Sequence, residues 1–392
     1  MSDVGRDLTM AEFRPALDSW LDIHASDLAR RGATPATLDE QVAQMQRVKA
    51  ALYDAGWMRY GWPREVGGFG GSPMMRTYLG AAIARRDLAS PGIYSLIEVL
   101  APTMIEFAAG DLAAEMVPKL LSGAEMWCQG FSEPSTGSDL ANLRCRATPV
   151  GDPHDAQEWV ISGQKVWTSL AQYSDRCVLL TRTGAADSRH RGITAFFVDM
   201  DAPGVRVAPI EMINGVQEFA EVFFDDVVVP SSRILGAVDG GWAVAMSILP
   251  FERSSCFWQR IAYLHERLDR LVADAPTDDE TTDGEAVRAI GSAWLTLHGL
   301  RARSLLTQYR LDRGESLGAE TSIDKVLVAA GELAVYDAAK TLLSTAIALD
   351  DDPIASSWRS EYLYSRAATI YGGTSEIQRN IIARRLLDLG DE

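Results

Sequence analysis

Near Glu125 the sequence changes its period, and near Pro230 it changes back. Between those points the runs WVISGQKVWTS, CVLLTRT, ITAFFVDM, VRVAPI and AEVFFDDVVVP are rich in Val, Ile, Phe and Thr, and Gly, Pro, Asp and Ser bound them. Such side chains fit a pleated, half-buried surface, so these runs predict strands of an antiparallel sheet or barrel. On either side the spacing is helical. Thr37-Leu-Asp-Glu40 makes a capping box ahead of Val42, Met45, Val48 and Leu52, which recur at helical intervals. A Gly/Pro-rich break from Gly61 to Ser72 precedes MMRTYLGAAIARRD and LAAEMVPKLLSG. After the strand region, Trp242–Val272 reads as one long helix, Ala275–Gly284 as a polar linker, and Glu285–Arg313 and Ser322–Leu349 as two more helices. A turn at Asp350–Pro353 leads to a last helix ending in NIIARRLLDL.

Helices, then strands, then helices is a segregated order. It contains no alternating βαβ units and no GxGxxG after a strand, so a Rossmann dinucleotide domain is not expected. The expected fold class is α+β and multidomain, with an N-terminal helical domain (1–125), a middle antiparallel β-barrel domain (126–232) and a C-terminal helical bundle (233–392). A length of 392 residues agrees with more than one domain.

A formal charge of −17 argues against nucleic acid and against a polybasic membrane patch. It would also repel an anionic ligand at long range, so any phosphate site needs local donors. No apolar run reaches the ~18 residues of a membrane span, and the opening MSDVGRDLTM lacks the features of a signal peptide. Cys128, Cys145, Cys177 and Cys256 are scattered and read as reduced thiols of a cytoplasmic protein. The five His show no ligand spacing, so no metal is expected.

Three segments could carry chemistry. FSEPSTGSDLA, from Phe131 to Ala141, offers hydroxyls at Ser132, Thr136 and Ser138, and Gly137 permits close backbone approach. A plain surface turn is the alternative. GQKVWTS, from Gly163 to Ser169, offers the flat face of Trp167 beside Thr168 and Ser169, which suits a planar ring or ordinary packing. ATIYGGTSEIQRNIIARR sets Gly372 and Gly373 before a helix that Ser375 and Gln378 would cap as an S-x-x-Q box. A helix start of that kind is a ready cofactor site or simply a helix start.

In order and spacing these segments, with the AEVFFDDVVVP strand, resemble signatures of the acyl-CoA dehydrogenases. The resemblance spans about residues 40–390. It implies FAD as cofactor, an acyl-CoA substrate, an electron-transferring flavoprotein as electron acceptor, and a C-terminal four-helix bundle. By position, Phe131 and Ser132 would lie against the flavin, and Gly137 and Ser138 would line the cofactor side. Ser138 would contact the pantetheine arm or the cofactor phosphates. Trp167 would flank the ring with Thr168 beside it, and Ser169 would reach its N5/O4 side. Gly373, Thr374 and Glu376 would meet FAD at the last helix.

Two departures from the family pattern matter. Most members have a carboxylate-Gly-Thr triplet, carrying their base, where this chain reads Gly372-Gly373-Thr374. Some members place the base on the first bundle helix in a Glu-Arg pair, which here is Glu252-Arg253 in SILPFERSS. The resemblance thus implies Glu252 as the catalytic base and Arg253, with Ser138, on the substrate side. Apolar surroundings would raise the Glu252 pKa, and Pro250 should kink the helix there. Secondly, the Arg-x-x-Phe-Gly stretch that many members extend to a neighbouring subunit's FAD is replaced by LVADAPTDDETTDG. Asp278, Asp279, Glu280 and Asp283 would repel phosphates. This resembles a bacterial subgroup acting on bulky acyl-CoAs, some of whose members pair with a second, different subunit. A homo-oligomer or a hetero-oligomer is therefore expected. Two other readings keep the fold: a flavin-poor supporting subunit of a heteromeric dehydrogenase, and a flavoenzyme that uses O2.

Overall fold

The computed structural model describes residues 7–30, 36–90, 96–152, 155–273 and 284–390. His154 and the acidic residues Asp278, Asp279, Glu280 and Asp283 lie outside the described residues. In chain order the longer helices are α1 (Met10–Ile23), α2 (Leu38–Asp54), α3 (Met74–Arg85), α4 (Leu96–Phe107) and α5 (Leu112–Ser122). Eight strands follow: β1 (Trp127–Gly130), β2 (Arg146–Pro149), β3 (Glu158–Ser169), β4 (Arg176–Arg182), β5 (Ile193–Asp199), β6 (Val205–Ile210), β7 (Phe219–Pro230) and β8 (Ile234–Leu235). Then come α6 (Gly241–Phe251), a π turn at Glu252–Cys256, α7 (Phe257–Ala273), α8 (Gly284–Asp312), α9 (Thr321–Leu343), α10 (Pro353–Ser365) and α11 (Ser375–Arg385).

The chain divides into two compact units. The first contains Lys49–Gly70 and Leu96–Phe251. Its sheet runs β6-β7-β3-β2-β4-β5-β8, with β1 paired to β4. The pairings are antiparallel except β1 with β4 and the single Arg146–Arg182 pairing of β2 with β4, which are parallel. Alternation along β3 and β7 points Trp159, Ile161, Ala220, Val222, Phe224, Val227 and Val229 into one core with Cys128, Phe196 and Val198. This is the period-2 pattern that the sequence carries.

The second unit holds the described residues of Arg6–Val48, Gly71–Ser95 and Glu252–Glu392. Helices α7, α8, α9 and α10 share a core that includes Ile261, Leu264, Leu268, Leu297, Leu300, Val335, Tyr336 and Trp358. The expected capping box at Thr37 is present: the Thr37 N–H donates to the Glu40 carboxylate at 2.9 Å, and the Glu40 N–H donates to Thr37 Oγ1 at 3.3 Å.

Three expectations need correction. The long helix over Trp242–Val272 is interrupted by the π turn. The helix runs through Pro250 to Phe251, and the interruption begins at Glu252, two residues after the proline rather than in the turn before it. The helix expected to reach Leu349 stops at Leu343, where Ser344 adopts φ 48°, and a one-turn helix Ala346–Leu349 follows. The expected turn at Asp350–Pro353 opens a further helix, α10, because Asp352 accepts from the Ile354 and Ala355 N–H groups with Pro353 at the first helical position. Among the described residues, no helix is long and apolar enough to cross a membrane.

Candidate active site

Phe131, Ser132, Gly137, Ser138, Trp167, Thr168 and Ser169 all fall in the first unit. There the Phe131 segment is fastened to β3. The Val166 N–H donates to the Ser132 carbonyl at 2.9 Å. Beneath that contact Lys165 Nζ donates to the Glu133 carboxylate at 2.8 Å and to the Phe131 carbonyl at 3.1 Å, with both charged side chains buried. The Glu133 carboxylate also accepts from the backbone N–H groups of Arg144 (2.7 Å) and Cys145 (2.8 Å). A buried ion pair persists when its remaining lone pairs are satisfied in this way. Glu133 and Thr136 exchange two backbone hydrogen bonds, at 2.9 and 3.0 Å. Together these contacts fix the loop that presents Ser132, while Gly137 and Ser138 stand exposed at its far side. Glu133 and Lys165 were absent from the residues expected to matter. Their signal was present: FSEPSTG and GQKVWTS each carry one charge, of opposite sign.

Trp167 is turned outward by a β-bulge. Lys165 pairs with Val222 and Thr168 with Ala220, so two β3 residues face one on β7. Trp167 adopts φ 59° at this bulge. Its indole is 58% exposed and meets the Phe219 ring edge-on at 6.1 Å. Gly163, which opens the motif, is fixed by crowding, since a Cβ there would lie 2.7 Å from the Cys145 Cα. Thr168 and Thr136 are buried, and neither hydroxyl has a hydrogen-bond partner. The exposed flat indole suits stacking against a planar ring, and the flavin of FAD is one.

Glu252, Arg253, Gly373, Thr374 and Glu376 fall in the second unit. Glu252 opens the π turn. Such turns carry an extra residue and concentrate at functional sites. Gly372 has φ 63°, and a Cβ built on it would lie 2.7 Å from Glu252 Oε1 and 3.3 Å from Lys325 Cε. The Glu252 carboxylate therefore occupies the space where a side chain at 372 would begin. Glu252 keeps some surface exposure. Burial is still the largest influence on its carboxyl and pushes the pKa upward, while the charges of Arg253 and Lys325 pull it back. Arg253 is buried, its Nε has no partner, and burial lowers its pKa against the pull of Glu252.

The expected Ser375–Gln378 capping box is not the one formed. Thr374 caps α11, accepting from the Ile377 N–H at 3.2 Å. The buried Gln378 amide instead donates to the Gly372 and Gly373 carbonyls, at 3.0 and 3.4 Å. The glycine turn is thus tied to the helix it precedes. Glu376 is exposed in the first turn of α11, 3.7 Å from Arg379.

The helix–sheet–helix order and the exposed indole are those expected of a flavin-dependent oxidoreductase class. The family models described as acyl-CoA dehydrogenase N-terminal, middle and C-terminal domains match residues 21–124, 128–227 and 239–387. Acyl-CoA dehydrogenase IpdE1 of Mycobacterium tuberculosis is 37% identical over 97% of this chain and 98% of its own length. Among solved structures, the Tcur3481-Tcur3483 steroid ACAD superposes with a TM-score of 0.83 at 25% identity, covering 97% of this chain and 98% of that one. The ChsE4-ChsE5 complex from Mycobacterium tuberculosis gives 0.80 at 25% identity, with the same coverage. The chain belongs to the acyl-CoA dehydrogenase family, whose members are FAD-dependent oxidoreductases.

Proposed function

We propose that this chain binds FAD and converts an acyl-CoA thioester to its trans-2-enoyl-CoA, with Glu252 as the base. Hydrogen bonds to the thioester carbonyl acidify the α-proton, and the Glu252 carboxylate takes that proton as the Cα–Cβ double bond forms. Bound FAD supplies the acceptor for the hydride that leaves Cβ. By the family resemblance, Phe131, Ser132, Gly137, Ser138, Trp167, Thr168 and Ser169 are the proposed cofactor contacts, as are Gly373, Thr374 and Glu376. Ser138 and Arg253 would face the substrate. The electrons would pass on to an electron-transferring flavoprotein. The segments 1–125, 126–232 and 233–392 would serve as the three functional domains.

The observation that carries this reading is the carboxylate of Glu252 at the missing Cβ of Gly372. It supports the reading because a carboxylate, with a pKa raised by burial, stands beside the residue position that carries the base in most of the family. The test is Glu252→Gln, which keeps shape and hydrogen bonding. Flavin content should stay normal, and anaerobic flavin reduction by a good substrate should slow about 100-fold or more, as expected for a positioned base. Reduction at the wild-type rate would refute the assignment.

A bulky, ring-bearing acyl group is the proposed substrate class, and a hetero-oligomer with a second acyl-CoA dehydrogenase-like chain is the proposed assembly. Support comes from the acidic composition of the segment where many relatives carry Arg-x-x-Phe-Gly, and from two structural neighbours, one a steroid enzyme and one a two-protein complex by name. A homo-oligomer with full flavin and good turnover would sink the heteromer. A screen from short straight-chain to ring-bearing acyl-CoAs decides the substrate.

A further inference from the structure

Lys325 is a fully buried cation on α9 that no step above uses. Its Nζ donates to the Ala368 carbonyl and stands 4.6 Å from the centre of the Tyr371 ring. Its Cε and Glu252 Oε1 lie 3.3 and 2.7 Å from one point, the vacant Cβ position of Gly372. The last methylene of Lys325 and the Glu252 carboxylate, from distant parts of the sequence, thus border the same small space. Placing a lysine there is costly, since burial disfavours its charged form; a neighbouring carboxylate is the compensation.

We propose that Lys325 is the positioning residue of the base: its ammonium, tethered to the Ala368 carbonyl, keeps Glu252 ionised beside Gly372 and ready to accept the α-proton. The inference rests on the assignment of Glu252 above. The surrounding charges agree with it. Arg253 is the other cation beside Glu252, and its charge pulls the Glu252 pKa down ahead of that of Lys325. Glu332, on the helix that carries Lys325, is engaged by Arg260 through two hydrogen bonds of 3.0 and 2.7 Å and by the Tyr371 hydroxyl at 3.1 Å. Of the two carboxylates that act on Lys325, Glu252 stands ahead of Glu332. Burial lowers the Lys325 pKa to about 8, against the raising pull of Glu252 and Glu332. It therefore remains charged through neutral pH.

Removing a cation beside a carboxylate raises the carboxylate's pKa. In the FAD-loaded Lys325→Met protein, the acid limb of the flavin-reduction profile should move up by about one pH unit, so that reduction is roughly tenfold slower below it. A second readout does not depend on turnover. The protonated-carboxyl stretch in difference infrared spectra, assigned by its loss in Glu252→Gln, should titrate about one unit higher as well. Lys325→Gln, which can still donate to Ala368, stands in if the Met variant does not fold. Lys325→Arg should hold both values near wild type. A purely structural lysine would lower the rate at every pH and leave both values in place. Unmoved values in the neutral variants overturn the proposal. Wild-type flavin reduction in Glu252→Gln also overturns it, and the infrared band separates the two failures because it reports the charge on Glu252 whether or not Glu252 is the base.

Discussion

Gly372→Ala is the smallest change that tests the shared space between Gly372 and Glu252. The added Cβ would stand 2.7 Å from Glu252 Oε1, where ordinary contact begins at 3.4 Å, so the carboxylate must retreat by about 0.7 Å. Lys325 Cε, at 3.3 Å, blocks part of the retreat. The backbone adds its own cost. At φ 63° an alanine is disfavoured by roughly 1–2 kcal/mol relative to glycine. Total destabilisation should therefore stay within about 1–3 kcal/mol, and the protein should fold. Catalysis should suffer more, because a misplacement approaching 1 Å costs up to about 100-fold. Anaerobic stopped-flow reduction of the FAD-loaded variant should slow by about 10- to 100-fold with flavin content unchanged. A folded Gly372→Ala protein that reduces its flavin at the wild-type rate would show that the Glu252 carboxylate does not work from this position. The complementary double variant makes room first: Glu252→Ala removes the obstructing oxygen, and Gly372→Glu then returns a carboxylate from the other side. It should recover part of the activity that Glu252→Ala alone destroys.

Two further outcomes follow from the first unit. Glu133→Ala strands Lys165 as an unpaired buried charge and frees two backbone N–H groups, so it should cost about 3–5 kcal/mol in urea unfolding; a loss under 1 kcal/mol would mean that the pair does not hold the loop. Trp167→Ala removes a largely exposed ring, so stability should barely change while FAD dissociates faster, measured by flavin retention on dilution; unchanged retention would take Trp167 out of the cofactor site.

Much of the architecture was legible because periodicity and burial coincide. Val42, Met45, Val48 and Leu52 recur at helical spacing and all four are buried. Along β7, Ala220, Val222 and Phe224 alternate inward as a strand should. Boundaries fared less well where a single residue overrides the pattern. Ser344 leaves the helix at positive φ although Leu342 and Leu343 before it are good helix formers. Asp352-Pro353 was recognised as a turn but is also the start of a helix, since Pro is favoured at a first helical position. At α11 two hydroxyls compete for the cap, Thr374 and Ser375, and the tie of Gln378 to the glycine carbonyls favours Thr374. That tie is a tertiary contact no local spacing reveals.

The site residues were legible as motifs, and their supports were not. Trp167 and Ser132 are read from the sequence, whereas the buried Lys165–Glu133 pair that holds their segments together depends on a pairing 32 residues apart. The base shows the same division more sharply. Sequence alone gives a missing carboxylate at 372 and an available one at 252, as two separate facts. Geometry makes them one fact. With Oε1 of Glu252 2.7 Å from the Cβ position of Gly372, the space admits a side chain from one position or the other, and a chain carrying both would have to displace one of them. The glycine is therefore the condition under which the π-turn glutamate can stand in that space. A second condition is charge: Arg253 and Lys325 both pull the Glu252 pKa down against the effect of burial, as opposite charges near a desolvated carboxylate do.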